Sequence, residues 1–197
     1  MGRVTSLREV RKVHISSQMN VEENREFVVL VDAHDREIGV CGKLEAHLRG
    51  ELHRALSVVV VNGRGEWLLH RRAAAKYHSP GLWTNTCCSH PRPGEAPLAA
   101  AHRRLREEMG LDCELVPAFH FVYRADVDGG LVEYELDHVF IGRTDDAPVP
   151  DPCEADAVRY VAEAEVRAEL LRTPEAFTAW FRILFEPTAA ALADLPR

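Results

Sequence analysis

Two adjacent thiols and an imidazole lie within four residues of one another in the segment TNTCCSHP, residues 84–91. Cys87, Cys88 and His90 are of residue types that bind metal ions, attack substrates or transfer protons. Adjacent cysteines with no other signal more often fill space in a core. The chemistry of this segment therefore depends on the groups that the fold brings next to it.

Further groups of the kind that bind metal ions occur elsewhere in the chain. His47 and His53 lie six residues apart, just before a run of apolar residues. Glu133, Glu135 and Asp137 alternate along the chain, so in a strand they project from one face. A solvated sheet face is the ordinary explanation, but buried carboxylates repel one another unless a cation lies between them. Three imidazoles and two carboxylates would fill most of an octahedral shell, which suits a transition metal better than calcium.

The composition excludes several classes of protein. With 197 residues, 46% of them hydrophobic, the chain is long enough for one globular domain, and its net charge of −7 argues against a nucleic-acid partner. Apolar runs such as LSVVVV at 56–61 are far too short to cross a membrane, and the N-terminus lacks the apolar segment of a secretory signal. Five irregularly spaced cysteines do not indicate a disulfide framework, so we expect free thiols in the cytoplasm.

The hydrophobic pattern predicts an α+β fold. Short apolar or alternating runs predict strands, and NGRG at 62–65 predicts a tight turn between two of them. Strands and helices do not alternate one to one, so we expect a mixed sheet covered by helices. Residues 73–96, rich in Pro, Gly and Ser, are predicted to form a loop. The predicted strands are 26–32, a short one within 33–43, 56–61, 66–72, 113–125, 131–142 and a short one within 157–166; the helices are 97–110, 163–173 and 174–186; residues 1–25 form an N-terminal extension to a domain of 26–197.

The helix over 97–110 begins at proline and ends at glycine, as helices commonly do. Its apolar residues Leu98, Ala101, Leu105 and Met109 fall on one stripe, which predicts the buried face.

The same helix carries a pattern that resembles the Nudix box, G-x5-E-x7-R-E-U-x-E-E-x-G-U, where U is aliphatic. Two positions depart from it, because Ser89 stands at the opening Gly and Arg104 at the Glu after the Arg. Nudix hydrolases hold Mg²⁺ with that glutamate cluster, so the resemblance implies a Nudix fold that has given up hydrolysis. Arg104 instead adds a cation that can bind phosphate. The matching residues are Glu95, Arg103, Leu105, Glu107, Glu108, Gly110 and Leu111.

Several motifs in order, LHRALSV, GLWTNTCCSHP and VEYEL, resemble type 1 isopentenyl diphosphate isomerase over residues 26 to 185. The resemblance implies a Nudix-like fold, a small isoprenoid diphosphate as substrate, and interconversion of isopentenyl and dimethylallyl diphosphate in isoprenoid biosynthesis. It also implies a role for each matching residue. Cys88 and Glu135 are the two catalytic acid/base groups, Tyr123 assists Glu135, and Trp180 faces a carbocation. The implied metal ligands are His47, His53, His90, Glu133 and Glu135; Arg72, Lys76 and Arg104 bind the diphosphate; Glu108 holds the Mg²⁺ that accompanies it.

The cofactors implied are thus Mg²⁺ bound with the substrate diphosphate through Glu108 and one divalent metal, Mn²⁺, Mg²⁺ or Zn²⁺, at the His/Glu site. We expect a cytoplasmic monomer or weak dimer that binds neither nucleic acid nor membrane. Leu56 stands where the family often has Phe, which we expect to change packing only.

Two alternatives from other classes remain open at this point. A Nudix diphosphate hydrolase would release phosphate or a monophosphate from nucleoside diphosphate derivatives, and it would need Glu where Arg104 stands. A zinc-binding module built on Cys87, Cys88 and His90 would need a second Cys-x2-Cys or His-x3-His pair, which the sequence lacks.

Overall fold

The computed structural model describes residues 26–195, which form one mixed sheet with helices on both of its faces. The predicted α+β class is therefore confirmed, whereas the predicted N-terminal extension lies outside the described residues. The strands are β1 Phe27–Val31, β2 Glu37–Gly42, β3 His53–Val61, β4 Glu66–Arg72, β5 Trp83–Thr84, β6 Cys87–Ser89, β7 Leu115–Val127, β8 Leu131–Arg143 and β9 Ala155–Ala162; the helices are α1 Lys43–Arg49, α2 Pro97–Met109, α3 Glu163–Arg172 and α4 Ala179–Asp194.

Strand β3 lies at the centre of the sheet. It pairs in parallel with β8 and antiparallel with β1, β4 and β6, while β7 extends the sheet beyond β8. Nearly every residue of β3 is buried, as its unbroken apolar run predicts for a strand covered on both faces.

Alternate residues of β3 enter two different cores. Leu56, Val58 and Val60 pack with Leu105 and Met109 of α2 in one layer. Val59 and Val61 point the other way, into a core formed with the aromatic and aliphatic side chains of α4, which are Trp180, Phe181, Leu184 and Phe185. The sheet is thus sandwiched between α2 on one face and α4 on the other.

Most predicted elements are present, with differences at their ends. The 73–96 segment is not a continuous loop, because the two short strands β5 and β6 lie within it. Residues 174–186 are not one helix either: Pro174–Ala176 forms a single 3-10 turn, Phe177 is extended, and α4 begins at Ala179 after its N-cap Thr178. On α2, Leu98 is 37% exposed and does not belong to the buried stripe.

Helix α1 was not predicted from the sequence. It ends at Gly50, whose φ of 63° is the left-handed conformation that favours glycine at a helix C-terminus. The helix is short and largely polar, yet it carries His47 into the interior. Within residues 26–195, none of the helices has the length and apolar character required to span a membrane.

Candidate active site

Strand register aligns the predicted site residues across the sheet. Glu135 of β8 lies opposite His53 in the parallel pair with β3 and opposite Tyr123 in the antiparallel pair with β7. Cys88 of β6 lies opposite Ser57 on the far side of β3. Because opposed residues project from the same face, the register alone places these side chains around one point.

Four of the predicted metal ligands converge on each other. Single ligand atoms of His47, His53, His90 and Glu135 all lie within 4.8 Å of one another. Glu135 Oε1 is 3.0 Å from His90 Nε2 and 3.4 Å from His53 Nε2. Burial and the neighbouring imidazoles lower the pKa of His47 to about 3, so its ring is neutral and has a lone pair available for a metal.

The second ring nitrogen of two of these histidines fixes their orientation. His47 Nδ1 lies 2.7 Å from the carbonyl of Lys43, and His53 Nδ1 lies 2.8 Å from that of Glu51. Each Nδ1 must therefore carry the proton, which leaves Nε2 as the ligand atom. Both Nε2 atoms are buried and lack a hydrogen-bond partner among residues 26–195. Oriented imidazoles with unpaired buried nitrogens, next to carboxylates, fit a divalent transition metal.

Glu133 and Glu135 are joined by one phenol. Tyr123 Oη lies 2.8 Å from Glu133 Oε2 and 2.6 Å from Glu135 Oε2. Burial, followed by the charge of Glu135, raises the pKa of Glu133; burial also acts to raise the pKa of Glu135, but the adjacent His53 and His90 imidazoles outweigh it and lower that pKa. Since the phenol has one proton, the second short contact uses a proton held by Glu133. A proton can therefore pass along this row of oxygens.

The Cys88 thiol lies between a donor and an acceptor. Trp180 Nε1 donates to Cys88 Sγ at 2.9 Å, and the thiol donates to Asn85 Oδ1, also at 2.9 Å. Asn85 is itself fixed by donating to the carbonyls of Val58 and Cys87. Burial raises the pKa of Cys88, so the resting group is a neutral thiol that can give up or regain a proton.

Cys87 has a different environment from that of Cys88. It points into the core beneath α2, whereas Cys88 packs against the α4 side. Adjacent residues of a strand face opposite ways, so only the second thiol reaches the site.

The predicted diphosphate ligands Arg72, Lys76 and Arg104 line one cavity, and carboxylates partly neutralise two of them. Lys76 forms an ion pair with Glu154, and Arg104 Nη2 bonds Glu154 at 3.1 Å and Glu108 at 2.8 Å. Arg72 is only 7% exposed and donates to the carbonyl of His78, while its Nε is buried with no partner in the described part of the chain. A buried guanidinium with an unpaired donor is a ready anion site.

A cavity of about 110 Å³ connects these groups. Of the predicted residues, His47, His53 and Glu108 do not line the cavity. The two histidines contact it through the lining residues His90 and Glu135, and Glu108 is bonded to the lining residue Arg104. The predicted residues that do line it are Arg72, Lys76, Cys88, His90, Arg104, Tyr123, Glu133, Glu135 and Trp180.

Sequence reasoning missed four residues of this site. Lys43 and His78 line the cavity, Asn85 orients Cys88, and Glu154 neutralises two cations. The proximity of Asn85 to Cys88 in TNTCCSHP was a visible signal, because an amide three residues away can reach back to a thiol. No local pattern pointed to the other three residues.

Comparison with known sequences finds a matching domain family and similar proteins that share one name. A profile of the NUDIX domain matches residues 51–181. A protein of Pectobacterium atrosepticum named "Isopentenyl-diphosphate Delta-isomerase" is 54% identical over 158 residues, which is 80% of this chain and 88% of its own. A protein of the same name from Streptomyces griseus is 45% identical over 169 residues, 84% of this chain and 85% of its own.

Solved structures share the fold at low identity. A crystal structure of a Deinococcus radiodurans protein superposes with a TM-score of 0.68 at 18% identity, covering 82% of this chain and 98% of its own. The MutT protein of Methanosarcina mazei Go1 gives 0.58 at 20% identity, covering 68% and 91%. At this identity the likeness establishes the architecture alone.

Proposed function

This chain belongs to the type 1 isopentenyl-diphosphate Delta-isomerases of the Nudix superfamily and interconverts isopentenyl and dimethylallyl diphosphate, and from that premise we propose how its own residues carry out the reaction. The reaction moves a double bond by one carbon. A proton is added to the alkene and a different proton is removed, through a tertiary carbocation. An alkene is a very weak base, so the site must present a well-aimed acid in a dry pocket.

Cys88 and Glu135 are the two acid/base groups. One gives a proton to the substrate and the other removes one, and their roles exchange in the reverse direction. Support comes from their shared cavity and from the neutral state of the buried thiol. Tyr123 passes a proton between Glu133 and Glu135, because its hydroxyl contacts both carboxyls. Each acid/base group therefore has a fixed orientation and a route for proton exchange.

Trp180 stabilises the carbocation with its indole ring. Its Nε1 bond to Cys88 fixes the ring next to the thiol, and the Arg72 guanidinium already lies 5.2 Å from the ring centroid. A desolvated cation on an indole face gains about 2 kcal/mol. The ring also offers no nucleophile that could trap the cation.

The divalent metal would be held by His47, His53, His90, Glu133 and Glu135, which belong to the two groups of converging ligand atoms and whose imidazole and carboxylate donors suit Mn²⁺ or Zn²⁺ as well as Mg²⁺. When bound, a divalent ion increases the acidity of a protonated Glu135. Nothing in the acid/base scheme needs a redox cofactor, because Cys88 transfers protons only.

The diphosphate binds at the mouth of the cavity, where Arg72, Lys76, Arg104 and Lys43 lie. These cations allow a chain of net charge −7 to bind an anion. Glu108, with Glu154 beside it, supplies the hard oxygen ligands that the accompanying Mg²⁺ prefers. Arg104 occupies the position at which a Nudix hydrolase has a metal-binding glutamate, and it neutralises Glu108 instead.

The remaining features of the protein follow from the same premise. Residues 26–197 are the isomerase domain, and residues 1–25 extend it. The free thiols at all five cysteines fit a reducing compartment, so we place the enzyme in the cytoplasm. It acts there as a monomer or weak dimer.

The observation that carries the proposal is the meeting of Cys88 and Glu135 in one cavity below the diphosphate cations. Incubation with isopentenyl diphosphate and Mg²⁺ in D₂O should yield dimethylallyl diphosphate that contains deuterium. Free diphosphate or monophosphate as the main product would instead indicate a hydrolase. Cys88→Ala should abolish turnover while leaving the fold intact, and Cys153→Ala, at an exposed thiol, is the matched control. Near-native isomerisation by Cys88→Ala would refute the assignment.

A further inference from the structure

His78 is a buried imidazole for which the proposed reaction has no role. It lies between β4 and β5 and is 5% exposed. Its ring stacks on that of His47, with centroids 5.9 Å apart and planes 30° apart. His47 is one of the metal ligands, so a fourth imidazole lies directly beside the metal site.

Neither ring nitrogen of His78 forms a hydrogen bond of normal length with its neighbour. Its Nε2 lies 3.5 Å from Glu133 Oε1, beyond the about 2.7–3.2 Å of a normal N–H···O bond. Its Nδ1 is 3.4 Å from the hydroxyl of Ser79. Glu133 Oε2 is already occupied by Tyr123, so the loosely paired oxygen is the one that faces His78.

His78, His47 and Glu133 form a second group of ligand atoms within 4.8 Å of one another. This group shares His47 with the first group. The Nδ1 of His47 is bonded to the Lys43 carbonyl, so His47 has a single nitrogen to offer. That nitrogen is buried and has no partner within the described residues. The two groups therefore cannot hold two ions at once through His47.

The backbone around His78 is fixed in a way that holds its ring in place. Arg72 donates to the His78 carbonyl at 3.1 Å. The next residue, Ser79, has a φ of 49°, a left-handed conformation that a non-glycine residue adopts only where its surroundings impose it. Its N–H donates to Asp128 beyond the end of β7, at 3.0 Å. The position of His78 is thus set by contacts on both sides.

We propose that His78 is an additional protein ligand of the divalent metal, so that four imidazoles and two carboxylates surround one ion. The inference rests on the proposed metal site of the isomerase. Six donors would complete an octahedral shell from the protein alone, with His47, His53 and His90 from the first group and His78 from the second. A nitrogen-rich shell favours Co²⁺, Ni²⁺ or Zn²⁺ over Mg²⁺. The ligand set therefore determines which metal the protein retains.

The test counts histidines on the metal in the full chain. Metal-free protein is loaded with one equivalent of Co²⁺, and proton NMR records the hyperfine-shifted ring N–H signals that vanish in D₂O. Each bound imidazole contributes one such signal, so wild type should show four and His78→Ala three. The apparent Kd for Co²⁺ should rise at least about tenfold in His78→Ala, as loss of one group from a metal site typically does. His102→Ala, at a partly exposed histidine of α2, is the matched control and should change neither value.

The outcomes separate this inference from the proposed function. Three signals in both wild type and His78→Ala, with equal affinity, would overturn the role of His78 and leave the isomerase site intact. Fewer than three signals in wild type, or unchanged Co²⁺ binding in His47→Ala, would overturn the proposed metal site itself. If His78→Ala does not fold, judged by circular dichroism, His78→Gln provides the same count because a glutamine adds no imidazole signal.

Discussion

Replacement of Tyr123 by Phe removes one oxygen atom from the centre of the site and little else. The ring lies in the core on the α4 side, stacked on Phe121 at 5.6 Å, and those contacts do not need the hydroxyl. What is lost is the proton link between Glu133 and Glu135, which consists of the two short contacts that the hydroxyl makes with their carboxyls. The change therefore isolates proton transfer from packing.

The magnitude follows from one hydrogen bond to a charged group. The phenol has a single proton to donate, so only one of its two short contacts is counted. Such a bond contributes about 1.5–3 kcal/mol. If the bond is fully made in the transition state, kcat falls between about 10-fold and 150-fold, since about 1.36 kcal/mol corresponds to a factor of ten. KM should change little, because Tyr123 does not reach the diphosphate cations.

The assay compares steady-state isomerisation by wild type and Tyr123→Phe, each loaded with metal and checked for metal content. Tyr160→Phe is the matched control, because the Tyr160 hydroxyl bonds the backbone oxygen of Asp146 and the residue does not line the cavity. A kcat within about twofold of wild type, at equal metal content, would refute the proton-transfer role that the geometry suggests.

Three further changes test other parts of the site. Arg72→Ala should raise KM by at least about tenfold, because it removes a buried cation whose Nε faces no other partner in the described chain. Asn85→Ala should lower kcat by about tenfold with unchanged KM, since it frees the Cys88 thiol from its acceptor. Glu95→Gln should lower stability by about 0.5–1 kcal/mol above pH 5, because it removes a partly exposed ion pair with Arg103 whose strength solvent screening limits. That pair lowers the pKa of Glu95 to about 2, so its stabilisation is present above the ordinary pKa of 4.5 and is lost as the pH falls towards 2.

Each of these three changes has an outcome that contradicts it. An unchanged KM in Arg72→Ala would remove that residue from the diphosphate site, and Arg36→Ala, at an exposed arginine, is its control. Equal effects on kcat and KM in Asn85→Ala would indicate a general structural defect. The stabilities of Glu95→Gln and wild type from denaturant titrations should converge as the pH falls from 5 towards 2, and a constant gap would show that the ion pair is not responsible.

The sequence predicted the chemistry of this protein better than the elements that position it. Glu133, Glu135 and Asp137 could be placed on one face because alternation is a local property of a strand. Whether that face was solvated or buried depended on the pairing of β8 with β3 and β7, which joins residues far apart in the chain. The resemblance to a family supplied the predicted residue list where local patterns left alternatives open.

The features that could not be predicted are irregular backbone segments and contacts between residues far apart in the chain. Helix α1 is short and polar, and it forms around His47 because the tertiary structure buries one side of it. Lys76 and Arg104 were predicted to bind the diphosphate, but no local pattern indicated that both also contact Glu154, which is remote in sequence. His78 carried no signal, because a lone histidine in a Pro/Gly-rich segment is usually solvated. Such contacts depend on loop geometry that hydrophobic periodicity does not report.

The alignment of His53, Glu135 and Tyr123 across three strands has a consequence for folding. A slip of one residue between β3 and β8 would turn the carboxylate to the opposite side of the sheet, away from every imidazole. A metal ion added during refolding can therefore stabilise only the native pairing of these two strands, which lie some 80 residues apart in the chain. A divalent metal should thus select the correct strand register during folding of this enzyme, in addition to its part in turnover.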